Sequence, residues 1–107
     1  MALVAVKDLL QYTHDMTDNE DRYSKRRRFT YVNRIQNKVL DVYGNVGNYL
    51  DMKVDKSTKP DILLTIRMDL NILQGLVEIS LHKGFIDARQ CGIWTEKIVV
   101  LREVLNL

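Results

Sequence analysis

Val32-Asn-Arg-Ile-Gln-Asn-Lys-Val-Leu-Asp-Val-Tyr-Gly-Asn-Val-Gly-Asn-Tyr49 is the stretch on which the fold turns. Val32, Ile35, Val39, Val42, Val46 and Tyr49 recur at alternating spacings of three and four. At 3.6 residues per turn they fall on one seam, the a/d pattern by which helices pack side by side. Read outward, the pattern predicts a helix from Lys25 to Met52, about 40 Å long at 1.5 Å per residue, with Ser24 as its N-cap. Gly44 and Gly47 weaken its last third and are read as a kink or a close helix crossing.

The same period runs through the rest of the chain, with almost no strand signal. A first helix is expected at about residues 3–14, with Leu3, Val6, Leu10 and Thr13 on one face and Leu9 and Tyr12 beside it. A polar connection, Asp15–Ser24, follows it, and Lys53–Lys59 reads as a loop. A third helix is expected over 60–83, opened by Pro60 at a favourable first position and stopped at Gly84, with Leu63, Ile66, Leu70, Leu73 and Val77 as its seam. A fourth is expected over 88–107, with Asp87 as N-cap, Gln90 at N3 as a variant capping box, and Ile86 stapled to Cys91. Its seam is Cys91, Trp94, Ile98, Leu101 and Leu105. The short later connections favour an all-α, antiparallel up-down four-helix bundle forming one domain over residues 1–107. Helix 3 also carries Ile62, Leu64, Met68, Ile72, Leu76, Ile79 and Leu81, and helix 4 adds Ile93, Val99, Val100, Val104 and Leu107. That exceeds the three apolar positions in seven that a bundle core needs, so self-association is expected.

Charge is distributed unevenly. Net charge is only +2, yet Arg22, Lys25, Arg26, Arg27, Arg28, Arg34 and Lys38 follow one another with no acidic residue between them. Asp15, Asp18, Glu20 and Asp21 lie just before this run and could act as its internal counterion. Cations at a helix start oppose the helix dipole, and a bound polyanion would relieve that conflict. At 100° per residue Arg27, Arg34 and Lys38 form a stripe flanking the core seam. Tyr23, Phe29 and Tyr31 interleave with the cations. Aromatics can stack on unpaired bases, although Phe29 is expected in the core. Phosphate contacts of this kind would position a partner without reading its sequence.

Catalytic chemistry has little to work with. His14 and His82 are the only histidines. His14 with Asp18 supplies too few ligands for a metal, and His82 is expected to cap helix 3. Cys91, the only cysteine, allows no intramolecular disulfide and reads as a small buried hydrophobe. Trp94 reads as core. Asp69 and Glu78 are read as separate surface or interface charges. Gly44-Asn-Val-Gly47 has the spacing of a KH-type loop, but that module requires strands. The apolar run Met1–Val6 is too short to span a bilayer and is interrupted before it could serve as a signal core. A cytoplasmic protein with no cofactor and no membrane partner is expected.

Arg27-Arg-Phe-Thr-Tyr-Val-Asn-Arg-Ile-Gln-Asn-Lys-Val-Leu-Asp-Val-Tyr43 resembles the start of the long helix in the accessory variability determinant (Avd) proteins of bacterial and phage diversity-generating retroelements, and in related proteins encoded by intervening sequences of 23S ribosomal RNA genes. Lys83-Gly-Phe-Ile-Asp-Ala-Arg-Gln-Cys-Gly-Ile-Trp-Thr-Glu-Lys97 is similar to that family's turn into its last helix. The resemblance implies a barrel-like homopentamer of four-helix bundles with a basic surface. Such a protein binds RNA or DNA with little sequence preference and associates with a reverse transcriptase and its template during mutagenic cDNA synthesis. Carried over by position, Arg27, Arg28, Arg34 and Lys38 match the basic positions that open the family's long helix. Related chains often continue into a basic tail, whereas this sequence stops at Leu107.

The sequence-level expectation is therefore a non-enzymatic nucleic-acid-binding accessory protein, with Lys25, Arg26, Arg27, Arg28, Arg34 and Lys38 as its binding residues. The alternatives are a module that contacts only protein, a protein linked to ribosomal-RNA intervening sequences, and a DNA-binding auxiliary of plasmid mobilisation.

Overall fold

Four α-helices and no strand form in the computed structural model, which describes residues 1–107. They are α1 (Ala2–Thr17), α2 (Asn33–Leu50), α3 (Lys59–His82) and α4 (Ala88–Leu105). Cross-helix contacts fix their directions. Thr13 of α1 meets Trp94 of α4, and Asp8 meets Lys97. Lys38 of α2 meets Asp69 of α3, and Gln74 of α3 meets Thr95 of α4. Tyr49 of α2 also meets Lys59 of α3, Asn71 of α3 meets Arg102 of α4, and Thr17 of α1 bonds Gln36 of α2 while Leu10 shares a groove with Leu40 and Tyr43. In each pair one residue number rises as the other falls, so sequence neighbours run antiparallel and α4 returns to α1. The bundle measures 43 × 24 × 19 Å.

Most of the predicted seams of α2, α3 and α4 lie in the core, while Tyr49, Leu63 and Cys91 are only half-buried against it. Ile35, Val39, Val42, Val46, Ile66, Leu70, Leu73, Val77, Trp94 and Leu101 are fully buried. The α1 face is set differently from the expectation. Leu3 is exposed, while Ala2, Ala5, Val6, Leu9, Thr13 and Thr17 are buried. Ala2 and Ala5 are small buried residues, and a pattern read from large apolar residues overlooks such positions.

The ends of the helices follow local chemistry. The predicted capping box is formed: the Gln90 N–H donates to Asp87 Oδ1 at 2.8 Å, and the Asp87 N–H donates to Gln90 Oε1 at 2.9 Å. α3 stops where expected. Gly84 takes φ +78°, and the Phe85 N–H reaches back to the Ser80 carbonyl at 2.9 Å. α4 ends earlier than predicted, because Asn106 adopts the left-handed conformation (φ 59°) and the Leu107 N–H closes onto the Arg102 carbonyl. α2 runs unbroken through Gly44 and Gly47, and a Cβ on either would meet nothing within 4 Å. The close crossing expected there is absent.

The main departure lies before α2. No single helix spans 25–52. Lys25–Arg27 forms a 3₁₀ turn, Arg28–Val32 forms a π-helical turn, and regular α-helix begins only at Asn33. Ser24 is extended and precedes the 3₁₀ turn, but its side chain caps nothing. Phe29, expected in the core, is 81% exposed. In an unbroken helix Phe29, seven residues before Gln36, would lie within about 20° of it, on the side where Gln36 bonds Thr17 of α1. In the π turn the Asn33 N–H bonds the Arg28 carbonyl, five residues back. Phe29 lies within that widened turn, which breaks the phasing of the α2 seam, and its ring is left in solvent.

Candidate nucleic-acid interface

Tyr23 holds the basic segment to the bundle. Its phenol is buried and donates to Ser80 Oγ at 2.8 Å, and Ser80 in turn donates to the Leu76 carbonyl at 2.9 Å. The Tyr23 ring packs on Phe85 at 5.2 Å between centroids, and Tyr31 meets the same Phe85 edge-on at 5.1 Å. The Arg27 guanidinium lies 5.2 Å from the centroid of the Phe85 ring. Phe85, in the turn between α3 and α4, is thus the hub that clamps residues 23–31 across the end of the bundle. The sequence reading assigned it no role. The one available signal was an aromatic residue directly after the Gly84 stop.

This clamp sorts the six predicted binding residues. Lys25, Arg26, Arg28 and Arg34 are exposed, and none enters an ion pair; the pairs in the structure are Lys38–Asp41, Lys38–Asp69 and Lys97–Asp8. Arg27 is half-buried over Phe85. Lys38 lies 3.3 Å from Asp69 and 3.5 Å from Asp41. Burial of Lys38 alone would lower its pKa, but the bond to Asp69 and the two carboxylate charges outweigh this and raise it. Asp69, read from sequence as a surface or interface charge, is a buried carboxylate whose partner is Lys38. The stripe of Arg27, Arg34 and Lys38 assumed constant phasing, which the 3₁₀ and π turns interrupt. Arg34 and Lys38 do share a cleft between α2 and α3 with Asn37, Asp41, Ile72 and Leu76.

The acidic segment makes no ion pair with these cations. Asp18 accepts from Gln36 Nε2 at 2.8 Å. The Asp21 N–H donates to Asn19 Oδ1, and the Tyr23 N–H to the Asn19 carbonyl. The segment is tied to its own turn and to α2, and none of Asp15, Asp18, Glu20 or Asp21 makes an ion pair.

The remaining residues singled out from the sequence lie elsewhere. His14 sits with Nδ1 3.1 Å from the Leu10 carbonyl, in a groove between α1 and α2 lined by Lys7, Leu10, Gln11, Leu40 and Tyr43. His82 is exposed in the last turn of α3. Trp94 is fully buried and donates to Thr13 Oγ1 at 3.0 Å. Cys91 is half-buried against the core. No helix is long and apolar enough to cross a membrane.

The clamp has a pH signature. Burial raises the Tyr23 pKa above the ordinary 10.0, against smaller lowering effects of the Ser80 bond and the Arg22 charge. Burial likewise raises Tyr12, against the charges of Arg22, Lys97 and Arg89. Groups that hold their protons more tightly in the folded state leave stability intact below the unfolded value. They erode it as pH rises through the folded one, so the loss begins above about pH 10. Tyr23→Phe is expected to lower neutral-pH stability by about 1 kcal/mol through the lost hydrogen bond, and to make the alkaline decline shallower. Urea unfolding followed across that pH range checks both effects.

No protein-family model, no curated protein and no solved structure matches the chain.

Proposed function

We propose that this protein is a non-enzymatic nucleic-acid-binding accessory factor whose contact surface is centred on Lys25, Arg26, Arg28 and Arg34. The observation that carries this reading is that these cations are exposed and unpaired on a backbone pinned by Tyr23, Tyr31 and Phe85. Lys25, Arg26 and Arg28 stand within four residues on the clamped segment and Arg34 follows in the first turn of α2. Unpaired cations of this kind gather phosphate by releasing its counterions, and a fixed backbone lowers the ordering cost of binding. Arg27 adds its charge beside these residues while lying over the Phe85 ring, whereas the Lys38 charge is taken up by Asp41 and Asp69. The resemblance to the retroelement proteins supports a more specific role, assistance to a reverse transcriptase acting on template RNA and cDNA.

That role includes assembly as a homo-oligomer, with a pentamer as the form the resemblance implies. Leu64, Met68, Ile72 and Ile79 support assembly. They lie at helical spacing on the outer side of α3 and are 43–56% exposed, which leaves α3 apolar on nearly every face. A helix of that kind is ordinarily covered. The rival reading, a module that contacts only protein, rests on the same stripe.

Purification at low salt discriminates between them. Copurifying nucleic acid, seen as a raised ratio of 260 to 280 nm absorbance, together with titratable binding of a labelled RNA, supports the proposal. Clean protein that binds no RNA even at low salt supports the protein-only module. Light scattering on the purified protein should give a mass several times the chain's 12.5 kDa, and coexpression with a retroelement reverse transcriptase should give a stable complex.

A further inference from the structure

Phe29 is 81% exposed. The other aromatic residues at this end of the bundle are engaged: Tyr23 and Tyr31 on Phe85, and Tyr12 edge-on to Trp94 at 6.1 Å. The exposed ring is therefore not a loose edge of the aromatic cluster. It stands in a π turn, a rare geometry enriched at functional sites. That turn is held on one side by the Tyr23–Ser80 bond and on the other by the Tyr31–Phe85 contact and buried Val32. Lys25, Arg26 and Arg28 lie within four residues of Phe29 along the chain, exposed and without any carboxylate partner.

We propose that Phe29 is a stacking platform for an unpaired base, and that the surface around it takes single-stranded rather than duplex nucleic acid. The inference rests on the nucleic-acid reading above and narrows it. An aromatic ring set among cations matches a single strand, whose bases are free to stack while its phosphates meet the basic side chains. In a duplex the bases are already stacked on one another, and a ring can reach them only by unstacking a step. A second copy of the chain fits poorly, because two such surfaces would bring Lys25, Arg26 and Arg28 against their own counterparts. An acidic protein partner would use the cations but gain little from a lone ring on a narrow turn.

Fluorescence anisotropy with a labelled oligouridylate, and with a duplex of the same length, tests the inference on the full chain. The wild type should bind the oligouridylate more tightly than the duplex, and equal wild-type affinities would overturn the single-strand preference. Phe29→Ala should weaken single-strand binding about five- to a hundredfold and leave the weaker, phosphate-only duplex binding and the oligomeric mass unchanged. Phe29→Trp should retain single-strand affinity, and Phe29→Leu should lose it as Phe29→Ala does. Because the side chain is exposed, each variant should keep the helical circular-dichroism signal. Wild-type affinity in Phe29→Ala, equal losses on both ligands, full retention in Phe29→Leu, or a changed oligomeric mass would each overturn the stacking role and leave the basic surface standing. Failure of the wild type to bind either ligand would overturn both.

Discussion

Replacing Lys25, Arg26, Arg28 and Arg34 together with glutamate should lower affinity for single-stranded RNA by about a hundredfold or more, with the helical far-ultraviolet signal unchanged. These four side chains are exposed and make no ion pair that the substitution would break. The loss therefore reports on binding rather than on folding. Lys38→Glu provides the contrast. It would set a third carboxylate beside Asp41 and Asp69, removing the partner of a buried group, and should lower the unfolding midpoint. Anisotropy and thermal unfolding on the two variants separate the effects. Undiminished RNA binding by the fourfold variant would move the site elsewhere on the molecule.

Trp94→Ala should be the most destabilising single change in the bundle. The indole is fully buried and bridges α4 to α1 through Thr13, which itself donates to the Leu9 carbonyl at 2.7 Å. Truncating a buried tryptophan costs about 3–5 kcal/mol, against a total stability of about 5–15 kcal/mol for a domain of ordinary size. At roughly 4–8 °C per kcal/mol, the melting temperature should fall by well over ten degrees. Thr13→Val probes the same contact from the other side. It leaves the indole N–H buried without an acceptor, at about 1–3 kcal/mol. Thermal unfolding by circular dichroism checks both, and a Trp94→Ala midpoint within a few degrees of wild type would refute this account of the core.

What could be read from the sequence followed the size of the side chains. Large β-branched and aliphatic residues at spacings of three and four located the seams of α2, α3 and α4, and Asp87 with Gln90 located a helix start. Small residues carried no such signal, so the buried face of α1, built on Ala2 and Ala5, was misplaced towards Leu3. The basic run was visible as composition, but its geometry was not. A π turn has no propensity signature, and the clamp depends on Phe85, far away in sequence and brought near only by the turn between α3 and α4. The pairing of Lys38 with Asp69 was hidden for the same reason, since each reads alone as a surface charge until the antiparallel register of α2 and α3 is known.

The salt dependence of RNA binding tests the central claim most directly. If Lys25, Arg26, Arg28 and Arg34 each neutralise one phosphate, a plot of log affinity against log salt concentration for a single strand should have a slope of about −3. The fourfold glutamate variant should show no measurable binding over the same range. A wild-type slope near zero, or binding that persists unchanged from low to high salt, would contradict a surface built on these four cations.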